Sequence, residues 1–339
     1  MQDFRGATLT SGEIGSLWTT YIGETMFSIV YQHFMQHCDD PEIKQLLDMG
    51  SRVTDQLIKQ IREIYKDDRM KLPVGFGEQD INLEAPRMFS DKFYMFYLKE
   101  AARSAIHNYS ACLVGCHRED IREFFSSAIK EYLEVFNKVM DLMLSKGIVI
   151  RTPSIPIPKE GTTVHNQSFL GSWIGPKRPI SSEEIKAIYV NLDTNMLGKS
   201  LMIAFSQSCR NEKIKNYLVK GRKISHKHIE IFINLLTDED LPAPQLWDPE
   251  VTESNIPPFS DKLMMYHTGL AAGAGIENYG MAISKSARKD IAADFVRLAI
   301  ESAQFAQDGA QLSINLGFLE QIPLAANRDH LASHPQNQY

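Results

Sequence analysis

The sequence predicts an all-α protein built as two tandem ferritin-like four-helix bundles, each with one long crossover between its second and third helices. Three observations carry the prediction: an internal repeat, four amphipathic stretches per copy, and one connection per copy too long for a helical hairpin. The repeat is read residue by residue, as internal periodicity should be before any other pattern. Thr10-Ser11-Gly12-Glu13-Ile14 recurs as Ser181-Ser182-Glu183-Glu184-Ile185, and Ile43-Lys44 with Leu47 and Gly50 recurs as Ile214-Lys215 with Leu218 and Gly221. Phe89-Ser90-Asp91-Lys92 returns as Phe259-Ser260-Asp261-Lys262, Ile106, Asn108 and Tyr109 as Ile276, Asn278 and Tyr279, and Arg118, Asp120 and Ile121 as Arg288, Asp290 and Ile291. The offset is 171 from Ile14 to Ile185 and 170 from Ile121 to Ile291, so one residue is lost in the second copy, between its second and third helices.

Apolar residues at helical spacing define the elements. The first helix is predicted over about Ser11 to His37, where Asp39-Asp40-Pro41 stops it and starts the next. Pro41 suits a first helical turn, and that second helix runs to about Tyr65. The third is predicted from about Ser90 to Cys116, and the fourth from about Glu119 to Ser145, with Gly147 as its C-terminal cap. The second copy repeats them near 182–208, 212–236, 260–286 and 289–316, ending at Gly317. The connection from Lys66 to Phe89 is rich in Pro, Gly and charge and can run the height of a bundle, which is the single-crossover topology of ferritin-like folds. The domain boundaries that follow are 1–148 for the first bundle, 149–179 for a Pro/Gly-rich linker, 180–326 for the second bundle and 327–339 for a polar tail. Within the linker, apolar Phe169 to Gly175 is expected to dock on a bundle. The glycines between Gly269 and Gly275 sit mid-helix and read as close helix packing, not as a phosphate loop, which needs a preceding strand.

The 339 residues give each copy enough chain to bury its own core, and 43% hydrophobic with 23% charged residues is ordinary for a globular protein. A net charge of -6 speaks against nucleic acid as a partner. No run of ~18 apolar residues provides a membrane span. Residues Met1 to Glu13 lack the apolar core of a signal peptide, so a cytoplasmic location is expected. The four cysteines, Cys38, Cys112, Cys116 and Cys209, form no CxxC pair and read as reduced, buried thiols. His33 and His37 are expected at the surface or at a helix end, whereas Met264, Met265, Phe93, Tyr94, Phe96 and Tyr97 are expected in the core.

Phe169-Leu170-Gly171, Arg178-Pro179, Asn195 with Gly198, Phe205-Ser206-Gln207, Leu241-Pro242-Ala243-Pro244, Phe259 to Met265 and Arg288-Lys289-Asp290 occur in order. With these motifs the chain resembles, over nearly its whole length, the domain of unknown function 3231 family. The resemblance implies tandem ferritin-like bundles akin to the spore-coat ferritin-like proteins of spore-forming bacilli. It implies no reaction, so chemistry is argued from the residues.

A di-iron carboxylate centre of the ferritin type needs a Glu from each of two helices and a Glu-x-x-His pair from each of the other two. No Glu-x-x-His occurs, and Glu131-Tyr132-Leu133-Glu134 is answered by Glu301-Ser302-Ala303-Gln304, which lacks one carboxylate. Ferroxidase chemistry is therefore doubtful, and no catalytic set is complete. Polar residues nonetheless interrupt the apolar stripes. Asn195, His228, Glu277 and Glu301 are expected at one level of the second bundle, on the order of 12–20 Å from one end at ~1.5 Å per residue. Glu24, His107 and Glu131 occupy matching positions in the first copy, with Leu57 in place of the histidine. His267 and Asp308 form a rival pair in the second bundle. Inward carboxylates must be paired, protonated or metal-bound, and imidazole with carboxylate suits iron, manganese or zinc. The leading reading is a non-enzymatic bundle protein with a structural or interaction role in a sporulation-related setting. The alternative is a metal-binding bundle protein with a non-standard site. Self-association remains a candidate, no small-molecule substrate is identifiable, and ligand carriage between helices is a third reading.

Overall fold

The structure, a computed structural model, describes residues 7–173 and 177–333. Among these, eight long helices make two bundles: α1 (Ser11–His37), α2 (Pro41–Asp67), α3 (Asp91–Val114) and α4 (Glu119–Ser145) in the first, and α5 (Ser182–Ser208), α6 (Glu212–Thr237), α7 (Asp261–Lys285) and α8 (Lys289–Asn315) in the second. A short α9 (Arg328–Ser333) stands within the segment expected to be a polar tail. No described residue belongs to a strand; β pairing is limited to two isolated bridges.

The repeated motifs turn out to be the ends of helices. Thr10 and Ser181 are N-caps with a capping box, each side chain accepting from the backbone of Glu13 or Glu184 while that glutamate reaches back. Glu13 also accepts from the backbone N–H groups of His117 and Arg118 at 2.8 and 2.7 Å, which places the start of α1 beside the α3–α4 turn. Arg118 in turn pairs with Asp68 just after α2 and with Asp120. Arg288 repeats this with Glu239 and Asp290. At the opposite end, Asp91 accepts from the backbone of Asp39 and Asp40, and Lys146 after α4 pairs with Asp40. These contacts fix the directions as α1 up, α2 down, α3 down and α4 up, with the crossover running the full height. Gly147 and Gly317, with φ of +67° and +70°, close α4 and α8, a conformation that glycine adopts without strain.

One buried, aromatic-rich core runs through both bundles and includes Phe93, Tyr94, Phe96 and Tyr97 of α3 and Met264 and Met265 of α7. Cys38, Cys116 and Cys209 are buried and Cys112 half-buried, all as free thiols, and burial pushes the Cys116 and Cys209 thiols up to about 11 and 12.

The crossovers join the bundles to one another, and do so symmetrically. Ile81 bridges to Phe259 and Phe89 to Val251. Each bridge carries the repeat-equivalents of the other, at an offset of 170. Ser90 N–H donates to the Glu250 carbonyl at 2.9 Å and Ser260 N–H to the Asp80 carbonyl at 3.0 Å. Phe96 stacks on Trp247 and Tyr266 packs on Phe76. Residue i of one half meeting j of the other, and j meeting i, is the signature of a two-fold interface, here within one chain. Tyr97 and its equivalent His267 meet on the axis, Oη to Nε2, at 3.1 Å. The deletion is located as well. Phe76 answers Trp247 at an offset of 171, whereas the 3-10 turn Glu78–Asp80 answers Asp248–Glu250 at 170, so Gly77 is the residue without a counterpart.

Three expectations are corrected. His33 is fully buried, because its ring packs edge-on against Phe259 of the other bundle at 5.4 Å. The segment expected to dock is mostly solvent-facing: Phe169, Leu170 and Trp173 are exposed, and the Arg178 guanidinium stacks on Phe169 at 4.2 Å. Ile174 and Gly175 lie outside the described residues. The α7 glycines pack against nothing, since a Cβ on Gly269, Gly273 or Gly275 would meet no atom within 4 Å.

Candidate functional site: the polar cores of the two bundles

In the first bundle Glu24, midway along α1, is 1% exposed and points at two tyrosines. The Tyr109 hydroxyl on α3 donates to Glu24 Oε1, and the Tyr132 hydroxyl on α4 lies 2.9 Å from both carboxylate oxygens. Thr54 on α2 completes the set, 3.3 Å from Tyr132 Oη. One polar group from each helix therefore meets at one level. Burial raises the Glu24 pKa, and the hydroxyls of Tyr109, Tyr132 and Thr54 oppose the shift without cancelling it. His107 and Glu131 do not join this set. His107 is exposed on α3, and Glu131 is held at the α2–α4 seam by Gln56 at 3.0 Å.

The second bundle builds a relay at the matching level. Asn195 Nδ2 on α5 donates to Tyr279 Oη on α7 at 2.8 Å, Tyr279 Oη lies 2.8 Å from His228 Nδ1 on α6, and His228 Nε2 lies 3.1 Å from Glu301 Oε2 on α8. The chain ends at Lys227, whose Nζ is 2.9 and 2.8 Å from the two Glu301 oxygens. Burial pulls the His228 pKa down despite Glu301, so the ring is neutral. For Glu301, burial pushes upward, but Lys227 and His228 hold the carboxyl below its usual value. A neutral ring facing a carboxylate carries its proton on Nε2, which leaves Nδ1 to accept from the Tyr279 hydroxyl. Every bond in the relay then has one donor and one acceptor. Ser302 stands where Tyr132 fills the first bundle, and a cavity of about 50 Å³ opens beside Asn195, Ser225, His228 and Tyr279. Its lining is mainly apolar, with these polar side chains along one part of it.

Tyr279 thus links Asn195 to His228, and His228 reaches Glu301, whereas Glu277 does not join them. Glu277 is exposed on the other side of α7, where it faces the neighbouring bundle near His107. The buried positions of α7 are Leu263, Met264, Met265, His267, Thr268, Gly275, Asn278, Tyr279 and Ala282, and Glu277 lies outside that set. His267 and Asp308 also stand apart: His267 sits on the two-fold axis, and Asp308 pairs at the surface with Lys220 at 2.6 Å. Among the described residues no three His, Cys, Asp or Glu side chains converge as a metal-holding group. Two donors, His228 and Glu301, remain adjacent, with the Lys227 ammonium against the carboxylate.

Sequence reasoning missed the hubs of both networks. Tyr109 and Tyr279 were visible as repeat-equivalents, and a tyrosine kept in both copies at a buried helical position needs a hydrogen-bond partner. Tyr132 had no such signal, because Ser302 replaces it.

The chain matches the family model described as "Protein of unknown function (DUF3231)" over residues 5–160 and again over 168–331, one match per bundle. It belongs to that family. The two matched stretches meet in the exposed connection between α4 and α5, so each family unit is one four-helix bundle. Among solved structures, the chain is similar to a crystal structure of a "putative spore coat protein" from Bacillus halodurans C-125, at 22% identity and a TM-score of 0.40, over 44% of this chain and 97% of that one. Among curated proteins none matches. No helix of the described residues is long and apolar enough to cross a membrane.

Proposed function

We propose that this protein is a non-enzymatic, two-bundle scaffold with a structural or interaction role, in the sporulation-related setting that the family resemblance implies. The observation that carries this reading is the closure of the interior polar groups on one another. Glu24 is occupied by two tyrosine hydroxyls, and Asn195, Tyr279, His228 and Glu301 are consumed in one chain of hydrogen bonds ending at Lys227. A polar core satisfied in this way specifies helix register and rotation.

The competing reading is a metal held off-pattern by His228 and Glu301, the two candidate ligands that do touch. Metal analysis of protein purified without added metal separates the two. The scaffold reading expects iron, manganese and zinc well below one equivalent, and a Glu301→Ala variant with the same metal content. Near-stoichiometric metal that is lost in Glu301→Ala would establish the metal reading instead.

A further inference from the structure

The two-fold interface is symmetric in its backbone and asymmetric in its side chains. On one flank α3 is locked to α5: Lys99 Nζ lies 2.6 Å from Asp193, and Arg103 bonds Glu100, Thr194 and Asn278. On the other flank the repeat-equivalents of Lys99, Glu100, Arg103, Asp193 and Thr194 are Gly269, Leu270, Gly273, Ile22 and Gly23. The ion pairs are replaced by glycine and apolar residues, and the helices do not close over the space. A cleft of about 380 Å³ results between α1, α3, α5 and α7, lined by Phe27, Tyr97, Ala101, Leu201, Ala271 and Ala274 among others. That volume lies within the range of small-molecule sites.

Two buried polar groups on the cleft wall lack a partner. His267 is 5% exposed and spends Nε2 on Tyr97, while its Nδ1 bonds nothing; Thr20 is 3% exposed with an unpaired hydroxyl. A buried donor or acceptor left unsatisfied is costly, so two behind one apolar wall mark a place where a ligand atom would be welcome. The charges at hand argue against an ion. Arg103 is spent on Glu100, Glu277 adds negative charge at the rim, and burial keeps the His267 ring neutral. From Tyr266 to Glu277 the α7 wall runs roughly 16 Å at ~1.5 Å per residue.

We propose that this inter-bundle cleft binds an elongated, uncharged, mainly apolar molecule with one hydrogen-bonding group, of the class of long-chain alcohols. The apolar body lies along the glycine flank of α7, and the polar group meets His267 or Thr20 once that side chain turns its buried, unpaired atom toward the cleft. The proposal is independent of whether the bundle cores hold a metal.

Titration of the full chain with the neutral probe N-phenyl-1-naphthylamine, followed by competition with 1-dodecanol, tests it. Saturable probe fluorescence displaced by 1-dodecanol but not by dodecanoate is expected. Gly273→Leu should weaken probe binding at least tenfold with an unchanged or higher Tm, because a Cβ there meets open space and glycine is a poor helix former. Ala274→Phe, which blocks the same wall, provides a second variant should the first misfold. Absence of saturable binding, failure of 1-dodecanol to compete, or equal affinity in a folded blocking variant would each overturn the proposal.

Discussion

Glu24 and Asn195 occupy one repeat position and solve one problem with different charge. Asn195 satisfies a tyrosine hydroxyl as a neutral amide, whereas Glu24 does so as a carboxyl group whose ionisation burial opposes. A folded-state pKa above the ordinary 4.5 means that the folded protein holds its proton longer than the unfolded chain, so stability declines as pH rises through the window above 4.5. Glu24→Gln should therefore match the wild type within about 1 kcal/mol near pH 4.5 and gain on it toward pH 7, as read by chemical denaturation across that range. Glu24→Leu should be destabilising by about 1–3 kcal/mol, because it strands the Tyr109 hydroxyl and leaves Tyr132 with Thr54 alone. Equal pH dependence in wild type and Glu24→Gln would mean that Glu24 is ionised in the fold.

At the scale of the helix, the repeated acidic caps decide acid stability. Burial would raise Glu13, but the backbone N–H groups of Arg118, Thr10 and His117 overcome it and hold the carboxyl at about 2. Glu184 is likewise raised by burial and brought down to about 2 by Arg178 and the backbone of Ser181 and Arg288. Folded values below the unfolded 4.5 give stability that is present above 4.5 and lost as pH falls toward 2. The double variant Glu13→Gln, Glu184→Gln should lower Tm at pH 7 and flatten its fall between pH 4.5 and 3; an unchanged acid limb would show that other carboxylates govern it. These ends were legible in sequence because capping is local, and Thr10 to Glu13 and Ser181 to Glu184 carry it in four residues. Helix bounds agreed within a residue or two for the same reason. The outward placement of Glu277 on α7 was not legible. That helix is apolar or small on two faces, one toward its own bundle and one toward the other, so Glu277 was read as inward where the bundle uses Thr268, Gly275 and Tyr279. His33 misled in the same way, since its burial comes from a partner 226 positions further along, Phe259.

At the scale of the molecule, the bundles meet through their crossovers and through the α3–α5 ion pairs, so the chain that links them is expected to be dispensable for holding them together. Residues near 151–165 are largely exposed. Proteolysis there should leave the fragments co-eluting on size exclusion at the mass of the intact chain, while separation into two half-sized peaks would show that the linker does the holding. Trp247, 2% exposed and stacked 4.1 Å from Phe96, anchors the interface. Trp247→Ala should be destabilising by about 3–5 kcal/mol in denaturant unfolding; a loss under 1 kcal/mol would remove it as an anchor.

Covalent tandem arrangement has a consequence for what such a pair can become. A homodimer obeys its rotation axis: a mutation placed on one flank appears on the other, so salt links and hollows must come in twos. Fusing the copies lifts that restriction. In this chain, one flank carries lysine, arginine and aspartate that bolt the halves together, while its mirror image carries side chains pared down to hydrogen.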